Sequence, residues 1–431
     1  MKIPNQKILI LSYYWPPAGG SGTQRWMYFA KYLKKMGCEP IVITVDEQEA
    51  SYSVLDKSLL EEVDNIRVIK TSTREPLKLY SFFTTGNFQK GIPQGAVKRK
   101  SILEKIFAYI RGNFFIPDAR KGWIPFAVKA AEKILNDEII SHIVTTGPPH
   151  STHLAGLRLK TKFDLKWWVD FRDPWTNIFY NNHLYRSSKA IQKDIALENK
   201  VLQSAEGVIT TVGGELHKHL KAKAPNQEFY VIQNGYDSQL MQEVHGVKLK
   251  DLFHVVYTGL LTENQAYDSV LKVLNKMANQ IPIRLSLAGN INKEIIERIR
   301  FKYTKIEFIF LGYLSHRKSI QLMKSANLLI NFIFEGANAH MISGKVLEYL
   351  ATGVPTLSIG DPDSEAGIFI NQGSASKMIN AKDDKGITEF IQQLADQKEN
   401  FQNNFPDLKR FSREELTKKL LEELFLGNKH Q

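Results

Sequence analysis

The chain of 431 residues is poor in cysteine, since Cys38 is the only one. A disulfide within the chain is therefore excluded, and a reducing compartment is expected. Long apolar runs are also missing, because no stretch approaches the ~20 apolar residues of a membrane-spanning helix. The apolar run from Ile8 to Tyr14 ends at Trp15-Pro16-Pro17 without a signal-peptide cleavage pattern. These absences favour a cytoplasmic protein.

Short-period repeats and low-complexity tracts are absent as well, which argues against solenoids and propellers. What the chain does have is positive charge: 57 Lys and Arg against 45 Asp and Glu, a net charge of +12. This predicts an anionic partner, either nucleotide phosphates, an acidic membrane surface or nucleic acid. None of the usual nucleic-acid-binding modules is visible, so we expect no nucleic acid partner.

The length is too great for one ordinary hydrophobic core and predicts two domains. Apolar runs typical of buried parallel strands alternate with helical patterns, and the alternation restarts near residue 232. We therefore expect an α/β fold with two Rossmann-like domains, 1–230 and 231–410, and a terminal helix over 411–431. The predicted strands are Lys7–Ser12, Glu39–Val45, Ile66–Ile69, Ile139–Thr146, Trp167–Phe171, Gly207–Val212, Phe229–Ile232, His254–Thr258, Leu285–Ala288, Ile306–Leu311, Leu328–Phe332 and Pro355–Ile359.

A glycine-rich loop, Ala18 to Gly22, follows the first strand and opens a helix. Gly20 in this loop lets the backbone approach a ligand, and a helix N-terminus favours anions. The spacing is not that of the dinucleotide fingerprint. A ligand-facing loop is our interpretation, with a plain tight turn as the alternative.

The stretch from Asn338 to Pro355 carries the strongest chemical signal. Ser343 and Gly344 can open a helix whose free amides face a diphosphate, with Lys345 adding a positive charge. Glu348 shares a helix face with Lys345 and suits the two ribose hydroxyls as a hydrogen-bond acceptor. The alternative is an exposed Lys–Glu pair of little energetic value.

Polar side chains also follow two strands of the first domain. His150 comes after one strand, and Asp170, Arg172 and Asp173 end the next. Loops after parallel strands lie at the carboxyl edge, where α/β sheets bind ligands. His150 can hydrogen-bond a sugar, either Asp can accept a proton, and Arg172 can pair with phosphate. A structural Arg–Asp pair is the alternative.

One segment of the chain resembles the nucleotide-sugar site of family 4 glycosyltransferases of the GT-B fold. It is Ser343-Gly344-Lys345-Val346-Leu347-Glu348-Tyr349-Leu350-Ala351-Thr352-Gly353-Val354-Pro355. The resemblance covers most of the chain. Tyr14-Trp15-Pro16-Pro17 with its glycine loop is similar to the start of that family. Asn234-Gly235-Tyr236-Asp237 and Tyr257-Thr258-Gly259 are similar to two motifs of its second domain.

The resemblance implies two domains facing across a cleft, the first on the acceptor side and the second binding the nucleotide sugar. It implies transfer with retention at the anomeric carbon, without cofactor or metal. Glu348 would hold the donor ribose, while Lys345 and the amides of Ser343 and Gly344 would meet the diphosphate. Gly20 and Gly259 would lie against the donor. The terminal helix would cross back onto the first domain.

Two departures from the family pattern concern the donor site. Many relatives have a second acidic residue where this chain has His340, which we retain as a donor-binding candidate. Many also have basic residues just after the equivalent of Gly259, where Leu260 and Asn264-Gln265 stand here. Part of the usual phosphate clamp is therefore missing or displaced.

Two further segments admit two interpretations each. Asp361-Pro362-Asp363 matches a metal-binding D-x-D pattern, but proline between acidic residues favours a solvated turn. The basic and apolar stretch from Val97 to Phe115 is typical either of a helix lying on an anionic membrane or of a helix packed on its own domain.

The function predicted from these features is retaining transfer of a sugar to a saccharide or lipid-linked acceptor, in surface polysaccharide or glycolipid biosynthesis. A nucleotide-sugar epimerase or phosphorylase of the same fold is the first alternative. A binding protein that has lost activity is the second, and His340 keeps it open.

Overall fold

The computed structural model describes residues 6–52, 54–75, 102–178, 181, 183–333, 344–396 and 402–426. The chain divides into two compact units. Unit 1 comprises residues 1–233 with 416–431, and unit 2 comprises residues 234–415. Within the described residues, no helix is both long enough and apolar enough to span a membrane.

Unit 1 is built on a seven-stranded parallel sheet of order β3-β2-β1-β4-β5-β6-β7. Its strands are β1 Lys7–Leu11, β2 Glu39–Val45, β3 Arg67–Thr71, β4 His142–Gly147, β5 Lys166–Phe171, β6 Gly207–Thr210 and β7 Glu228–Val231. Its helices are α1 Ser21–Lys35, α2 Ile102–Phe114, α3 Ile124–Asp137, α4 Ser151–Lys160, α5 Ser188–Ser204 and α6 Glu215–Lys223.

The central strands of this sheet are buried on both faces. Along β1, Leu9 belongs to one apolar cluster with α3, α4 and α5, whereas Ile8 belongs to another with α1. Successive side chains of a strand point to opposite faces. The continuous apolar runs of the sequence are therefore explained by a sheet covered by helices on both sides.

Unit 2 repeats the plan with a six-stranded parallel sheet of order β10-β9-β8-β11-β12-β13. Its strands are β8 Phe253–Thr258, β9 Ile283–Ala288, β10 Glu307–Gly312, β11 Leu328–Phe332, β12 Thr356–Ile359 and β13 Ser376–Ile379. Its helices are α7 Ser238–Glu243, α8 Tyr267–Met277, α9 Lys293–Lys302, α10 His316–Ser325, α11 Gly344–Ala351, α12 Glu365–Ile370 and α13 Asp384–Asp396.

The last helix, α14 (Arg413–Leu420), continues as a π-helical turn over Leu421–Phe425. Its start is capped by Ser412, whose Oγ accepts a hydrogen bond from the Glu415 amide at 3.2 Å. The apolar side chains of this segment join the α1 side of the unit 1 core: Leu416, Leu420, Leu421, Leu424 and Phe425. That core supplies the apolar groove in which these side chains are buried.

The prediction of an α/β fold with two Rossmann-like sheets is confirmed. Two strand details differ. β4 begins at His142, and the preceding Ile139 is 96% exposed. Strand β13 did not appear in the sequence analysis, because it is only four residues long and Lys377 interrupts its apolar residues.

Candidate active site

Both sheets change strand order at one point. In unit 2 this point lies between β8 and β11. The strands that follow β8 in the chain, β9 and β10, lie on one side of it, and the strands that follow β11, β12 and β13, lie on the other. Ligands of open α/β sheets bind outside the carboxyl ends of the strands at such a switch point. Here Gly259 follows β8 with φ of +124°, a conformation that favours glycine. The site is built around this turn.

Lys345, in the first turn of α11, reaches the turn at Gly259. A Cβ placed on Gly259 would lie 3.5 Å from the Lys345 Nζ. The ammonium lies over the Tyr257 ring, 4.5 Å from its centroid, and donates to the Tyr257 hydroxyl at 3.3 Å. Within the described residues Lys345 makes no ion pair, and burial lowers its pKa to about 7. The described part of the chain therefore places at the switch point an amine that has no carboxylate partner there.

Glu348 lies one turn further along α11 and is held by two basic side chains. His316 Nε2 is 2.8 Å from Glu348 Oε1, and Arg413 Nη2 donates to the same oxygen at 3.3 Å. Burial raises the pKa of Glu348, but His316 and Arg413 outweigh it and lower the pKa overall. The side chain is 13% exposed. Glu348 is thus an ionised carboxylate with one oxygen fixed in place.

Helix α11 is fastened to β8 by Tyr349. Its hydroxyl accepts a hydrogen bond from the Thr258 amide at 2.8 Å and lies 3.4 Å from the Thr258 carbonyl oxygen. Because Lys345 and Tyr349 are four residues apart, they share one face of the helix. This attachment sets where Lys345 meets the end of β8.

Leu260 and Asn264-Gln265, which stand where the family pattern has basic residues, are themselves uncharged. Gln265 is buried, donates to the Phe332 carbonyl at 3.1 Å and accepts from the Thr262 amide at 2.9 Å. Leu260 is 36% exposed. Gln265 thus supports the loop, and Lys345 is the cation that reaches the turn.

Two donor-site candidates, His340 and Ser343, lie outside the described residues. Gly344 is described, and a Cβ on it would lie 3.6 Å from Asn234 Cβ. The motif that begins at Asn234 therefore lies beside the start of α11. Its Asp237 caps α7 by accepting from the Leu240 amide at 2.7 Å.

In unit 1, Asp170 at the end of β5 is fully enclosed. Its Oδ1 accepts from Arg25 Nη2 at 2.8 Å, and its Oδ2 accepts from Trp26 Nε1 at 2.7 Å and from Thr146 Oγ1 at 2.8 Å. The side chains of Arg25 and Asp170 are 1% and 0% exposed. Arg25 also donates to the Ile232 carbonyl at 2.8 Å. This geometry favours a structural role for Asp170 over that of a base.

Arg172 binds main-chain oxygens instead of either aspartate. Its Nε donates to the Gly147 carbonyl at 3.2 Å, and its Nη groups donate to the carbonyls of Gly22 and Pro148. Arg172 therefore ties the loop after β4 to the start of α1. The neighbouring Asp173 is half-buried, and burial raises its pKa although Arg172 opposes the shift.

His150 stands at the start of α4 and is 5% exposed. Its ring stacks on Trp175 with centroids 5.1 Å apart and lies 5.8 Å from the His153 ring. Neither ring nitrogen makes a hydrogen bond of ordinary geometry to a described residue, although the Pro174 backbone lies close enough to raise the pKa of His150 in part. Burial, then His153, lowers the pKa of His150 well below its ordinary value. A neutral imidazole with unused hydrogen-bonding capacity results.

Gly20 occupies the N-cap of α1 with φ of +96° and ψ of 164°. A Cβ there would meet no atom within 4 Å. The residue is exposed, so glycine is needed for the backbone conformation and not for packing.

Comparisons with known proteins bear on this geometry. Residues 253–397 match the family model described as Glycosyl transferases group 1. The chain is a glycosyltransferase. No curated protein sequence matches it.

Solved structures of similar fold include several glycosyltransferases. Sucrose-phosphate synthase from Thermosynechococcus elongatus has a TM-score of 0.59 and 15% identity, over 98% of this chain and 95% of that chain. HepE from Anabaena in complex with UDP and glucose has a TM-score of 0.55 and 12% identity, over 98% and 96%. The lipopolysaccharide outer core galactosyltransferase WaaB has a TM-score of 0.56 and 12% identity, over 98% and 100%. The fold of this glycosyltransferase is thus GT-B.

Three residues that hold candidate side chains of the glycosyltransferase in place were not predicted from its sequence. His316 and Arg413 bind Glu348 across 32 and 65 positions of the chain, and Arg25 binds Asp170 across 145. Arg25 alone gave a signal, as a charged residue on the buried face of an amphipathic helix. Separations of this size leave no local pattern in the sequence.

The Asp361-Pro362-Asp363 segment forms a turn, in which the Asp363 amide donates to Asp361 Oδ1 at 3.0 Å. Both aspartates are exposed. Among the described residues of the glycosyltransferase, no three His, Cys, Asp or Glu side chains are grouped to hold a metal ion.

Proposed function

We propose that this glycosyltransferase moves a sugar from a nucleoside diphosphate donor to a hydroxyl of a saccharide or lipid-linked acceptor, with retention at the anomeric carbon. The observation that carries the proposal is Lys345, a half-buried amine that makes no ion pair within the described residues, one helical turn from an ionised Glu348 at the switch point of unit 2. We place the reaction in surface polysaccharide or glycolipid biosynthesis.

The diphosphate of the donor would supply the counter-charge that Lys345 lacks. The first turn of α11 adds main-chain amides, which have no partner within a helix and carry its positive dipole end. Negative charge grows on the diphosphate as the sugar leaves, so groups placed beforehand would stabilise the transition state. The ammonium and amides bring the positive charge that the leaving group requires, so the proposal includes no metal or cofactor.

Glu348 would accept hydrogen bonds from the ribose hydroxyls of the donor. Its contacts within the described residues fall on Oε1, which leaves Oε2 for a ligand. His316 and Arg413 keep the carboxylate ionised and fix its direction. HepE, solved with UDP-glucose, supports a nucleotide-sugar donor for a protein of this fold.

In unit 1 we assign Asp173 as the candidate acceptor of the proton from the attacking hydroxyl, since burial raises its pKa toward the working range of a base. His150 would bind a sugar hydroxyl through a ring nitrogen. Asp170 and Arg172 would hold the loops that carry these residues. Gly20 would let the α1 amides approach the donor.

Helix α2 supports peripheral contact with an anionic membrane. It exposes an apolar stripe, which consists of Ile106, Tyr109, Ile110 and Phe114 at 38–63% exposure. Lys105 and Arg111 lie on the same helix. Such a combination is typical of helices that rest on acidic lipids. The basic residues 98–100 lie outside the described part of the chain.

The proposal is tested by screening UDP-, GDP- and other activated sugars for thermal stabilisation of the purified protein. A donor at 100 times its Kd adds about 2.7 kcal/mol of stability. Glu348→Ala should abolish the response while keeping the fold, and the matched control Glu297→Ala, an exposed glutamate of α9, should retain it. Undiminished stabilisation of Glu348→Ala would refute the assignment.

An epimerase is the competing function. A structure titled putative UDP-N-acetylglucosamine 2-epimerase from Listeria monocytogenes also shares the fold, with a TM-score of 0.55 and 12% identity over 99% of this chain and 98% of that chain. Incubating the stabilising sugar nucleotide without acceptor separates the two. The transferase leaves the donor largely intact, whereas an epimerase converts it to its epimer. NMR of the transferred anomeric centre then tests retention.

A further inference from the structure

The chain first passes from unit 1 to unit 2 between Gln233 and Asn234. An arginine side chain binds the backbone on each side of this passage. In unit 1, Arg25 Nη1 donates to the Gln233 carbonyl at 3.1 Å. In unit 2, Arg413 Nε donates to the Gly235 carbonyl at 3.0 Å. The two bound carbonyls are therefore separated by one residue, Asn234.

The chain returns to unit 1 between Glu415 and Leu416, and the backbone just before this second passage pairs with the backbone just after the first. The Tyr236 amide donates to the Phe411 carbonyl at 3.2 Å, and the Arg413 amide donates to the Tyr236 carbonyl at 2.8 Å. We call these two hydrogen bonds the crossing ladder. Arg413 thus belongs to the ladder through its main chain and binds the opposite segment through its side chain.

Arg413 also binds the carboxylate that we assign to the donor ribose. Its Nη2 donates to Glu348 Oε1 at 3.3 Å, and the two side chains are 10% and 13% exposed. The guanidinium is planar, so its Nε and Nη2 keep a fixed geometry to each other. A fixed Glu348 carboxylate therefore favours the orientation in which Arg413 Nε meets the Gly235 carbonyl.

Packing also joins the crossing ladder to the helix that carries Glu348. Tyr236 and Phe411 belong to one buried apolar cluster with Leu347 and Leu350 of α11. Because protein interiors are closely packed, a small displacement of α11 is felt by the side chains that contact it. The ladder and the donor carboxylate are thus parts of one packed assembly.

The carboxylates that bind the two arginines differ in their access to a ligand. Asp170, which binds Arg25, is 0% exposed, and both of its oxygens accept hydrogen bonds from the protein. The described contacts of Glu348, which binds Arg413, fall on Oε1. A ligand at the donor site can therefore change how Arg413 holds the backbone, whereas the contact of Arg25 stays constant.

We propose that Arg413 is a positioning residue through which the ribose of a bound nucleoside diphosphate stabilises the crossing ladder. Ribose hydroxyls that bind Glu348 restrict the motion of its carboxylate, and the carboxylate in turn restricts the guanidinium that binds Gly235. Ordering one site lowers the entropic cost of ordering the other, and this effect is reciprocal. The inference rests on the proposed function and adds a regulation of its donor site: nucleotide binding orders the backbone that joins the two units.

Hydrogen–deuterium exchange of the full chain tests this coupling. The probes are UDP, GDP and ADP, with inorganic pyrophosphate as a ligand without ribose, each at a saturating concentration. For the nucleotide that binds, exchange of the Tyr236 and Arg413 amides should slow about tenfold, as expected for a gain equal to one ordinary hydrogen bond. Pyrophosphate should leave both rates unchanged. The Ile232 amide, which donates to the Thr210 carbonyl in unit 1, is the reference within the same sample.

Arg413→Lys keeps the positive charge, but its single nitrogen cannot bind Gly235 and Glu348 with the geometry of the guanidinium. Without ligand, the Tyr236 amide should exchange about tenfold faster in this variant. Protection by nucleotide should be lost, and nucleotide affinity should fall by the factor that the protection amounts to in the parent protein. Arg410→Lys, at an arginine whose side chain is 55% exposed, should behave as the parent protein does.

Two further variants test the same coupling in case Arg413→Lys does not fold. Lys345→Met should weaken nucleotide binding, yet at saturation it should keep the protection of the ladder, because the ribose contact is intact. Glu348→Gln at saturation should lose that protection, because the charged partner of Arg413 is gone.

Binding of a nucleotide without slower exchange of the Tyr236 and Arg413 amides would overturn the inference and leave the proposed function standing. Equal protection by pyrophosphate would do the same, as would undiminished protection in Arg413→Lys or Glu348→Gln. If neither these nucleotides nor any sugar nucleotide binds, the proposed function fails, and the inference falls with it.

Discussion

Two of the arginine–carboxylate pairs in the chain, Arg25–Asp170 in unit 1 and Arg413–Glu348 in unit 2, differ in how many carboxylate oxygens remain without a protein partner. Asp170 and Arg25 are 0% and 1% exposed, and both carboxylate oxygens accept hydrogen bonds from protein groups. Glu348 and Arg413 are 13% and 10% exposed, and the described contacts of Glu348 fall on one oxygen. The first pair is complete in itself, and the second has room for a ligand.

Burial distinguishes an ion pair with a structural role from an ion pair that can also bind a ligand. An enclosed pair cannot exchange its partners without exposing an uncompensated charge, so it ties elements together. In the Glu348–Arg413 pair, one carboxylate oxygen has no described contact, and Lys345 nearby makes no described ion pair. A bound ligand can therefore add stabilising contacts at this place. From the sequence, Asp170 at the end of a strand and Glu348 on a helix are both candidate site residues.

The largest effect is expected from breaking the enclosed pair. Asp170→Asn removes the charge that compensates Arg25 in the core, and should cost about 3–5 kcal/mol of unfolding free energy. Urea denaturation followed by tryptophan fluorescence measures it, since every tryptophan lies in unit 1. The exposed Asp164→Asn should change stability by less than about 0.5 kcal/mol. A stable Asp170→Asn protein without activity would instead restore Asp170 as a catalytic candidate.

A smaller and different effect is expected at the open site. Lys345→Met removes the ammonium but keeps an apolar stem over Tyr257, so donor binding should weaken by about 1.5–3 kcal/mol, as expected for a charge-assisted hydrogen bond. Stability without donor should not fall, because an unpaired buried charge is lost. Calorimetric titration with the donor nucleotide measures the affinity, and urea denaturation without donor measures the stability. Lys293→Met, at an exposed position, is the control for both. Unaltered donor affinity in Lys345→Met would remove this residue from the site.

The smallest effect is a pH dependence of donor binding. The pKa of Lys345 is lowered to about 7 in the free protein, and a bound diphosphate would raise it. Below pH 7 the ammonium is present with or without donor, so affinity is constant. Above pH 7 binding must take up a proton, and affinity should fall by up to about tenfold per pH unit. Titrations from pH 6 to 9 should show this slope in the parent protein and a flat profile in Lys345→Met.

Much of the fold was predictable because its signals are local. Continuous apolar runs such as those of β1 and β8 mark strands buried on both faces, and the restart near residue 232 marks a second sheet. β13 was missed because four residues with an exposed Lys377 carry too little pattern. Strand order was beyond the sequence, since it depends on pairing between distant segments.

For the candidate site, helical spacing placed Lys345 and Glu348 on neighbouring positions of one helix, and the structure has them there in α11. Their partners were not predictable. Tyr257 lies 88 positions from Lys345, and Arg413 lies 65 positions from Glu348. Nor could the sequence rank His150 above Asp170, because that comparison depends on which polar atoms are already satisfied.

The amino-acid sequence by itself determined the alternation of strands and helices, and the presence of an amide-rich, cationic helix start with a carboxylate one turn on. These follow from spacing along the chain, where neighbours in sequence are neighbours in space. The tertiary structure alone decided that Asp170 is enclosed, that Lys345 forms no ion pair with any described residue, and that Arg111, His150 and Arg186 line one cavity. Burial and hydrogen-bond partners depend on distant segments, and those meet only when the chain folds.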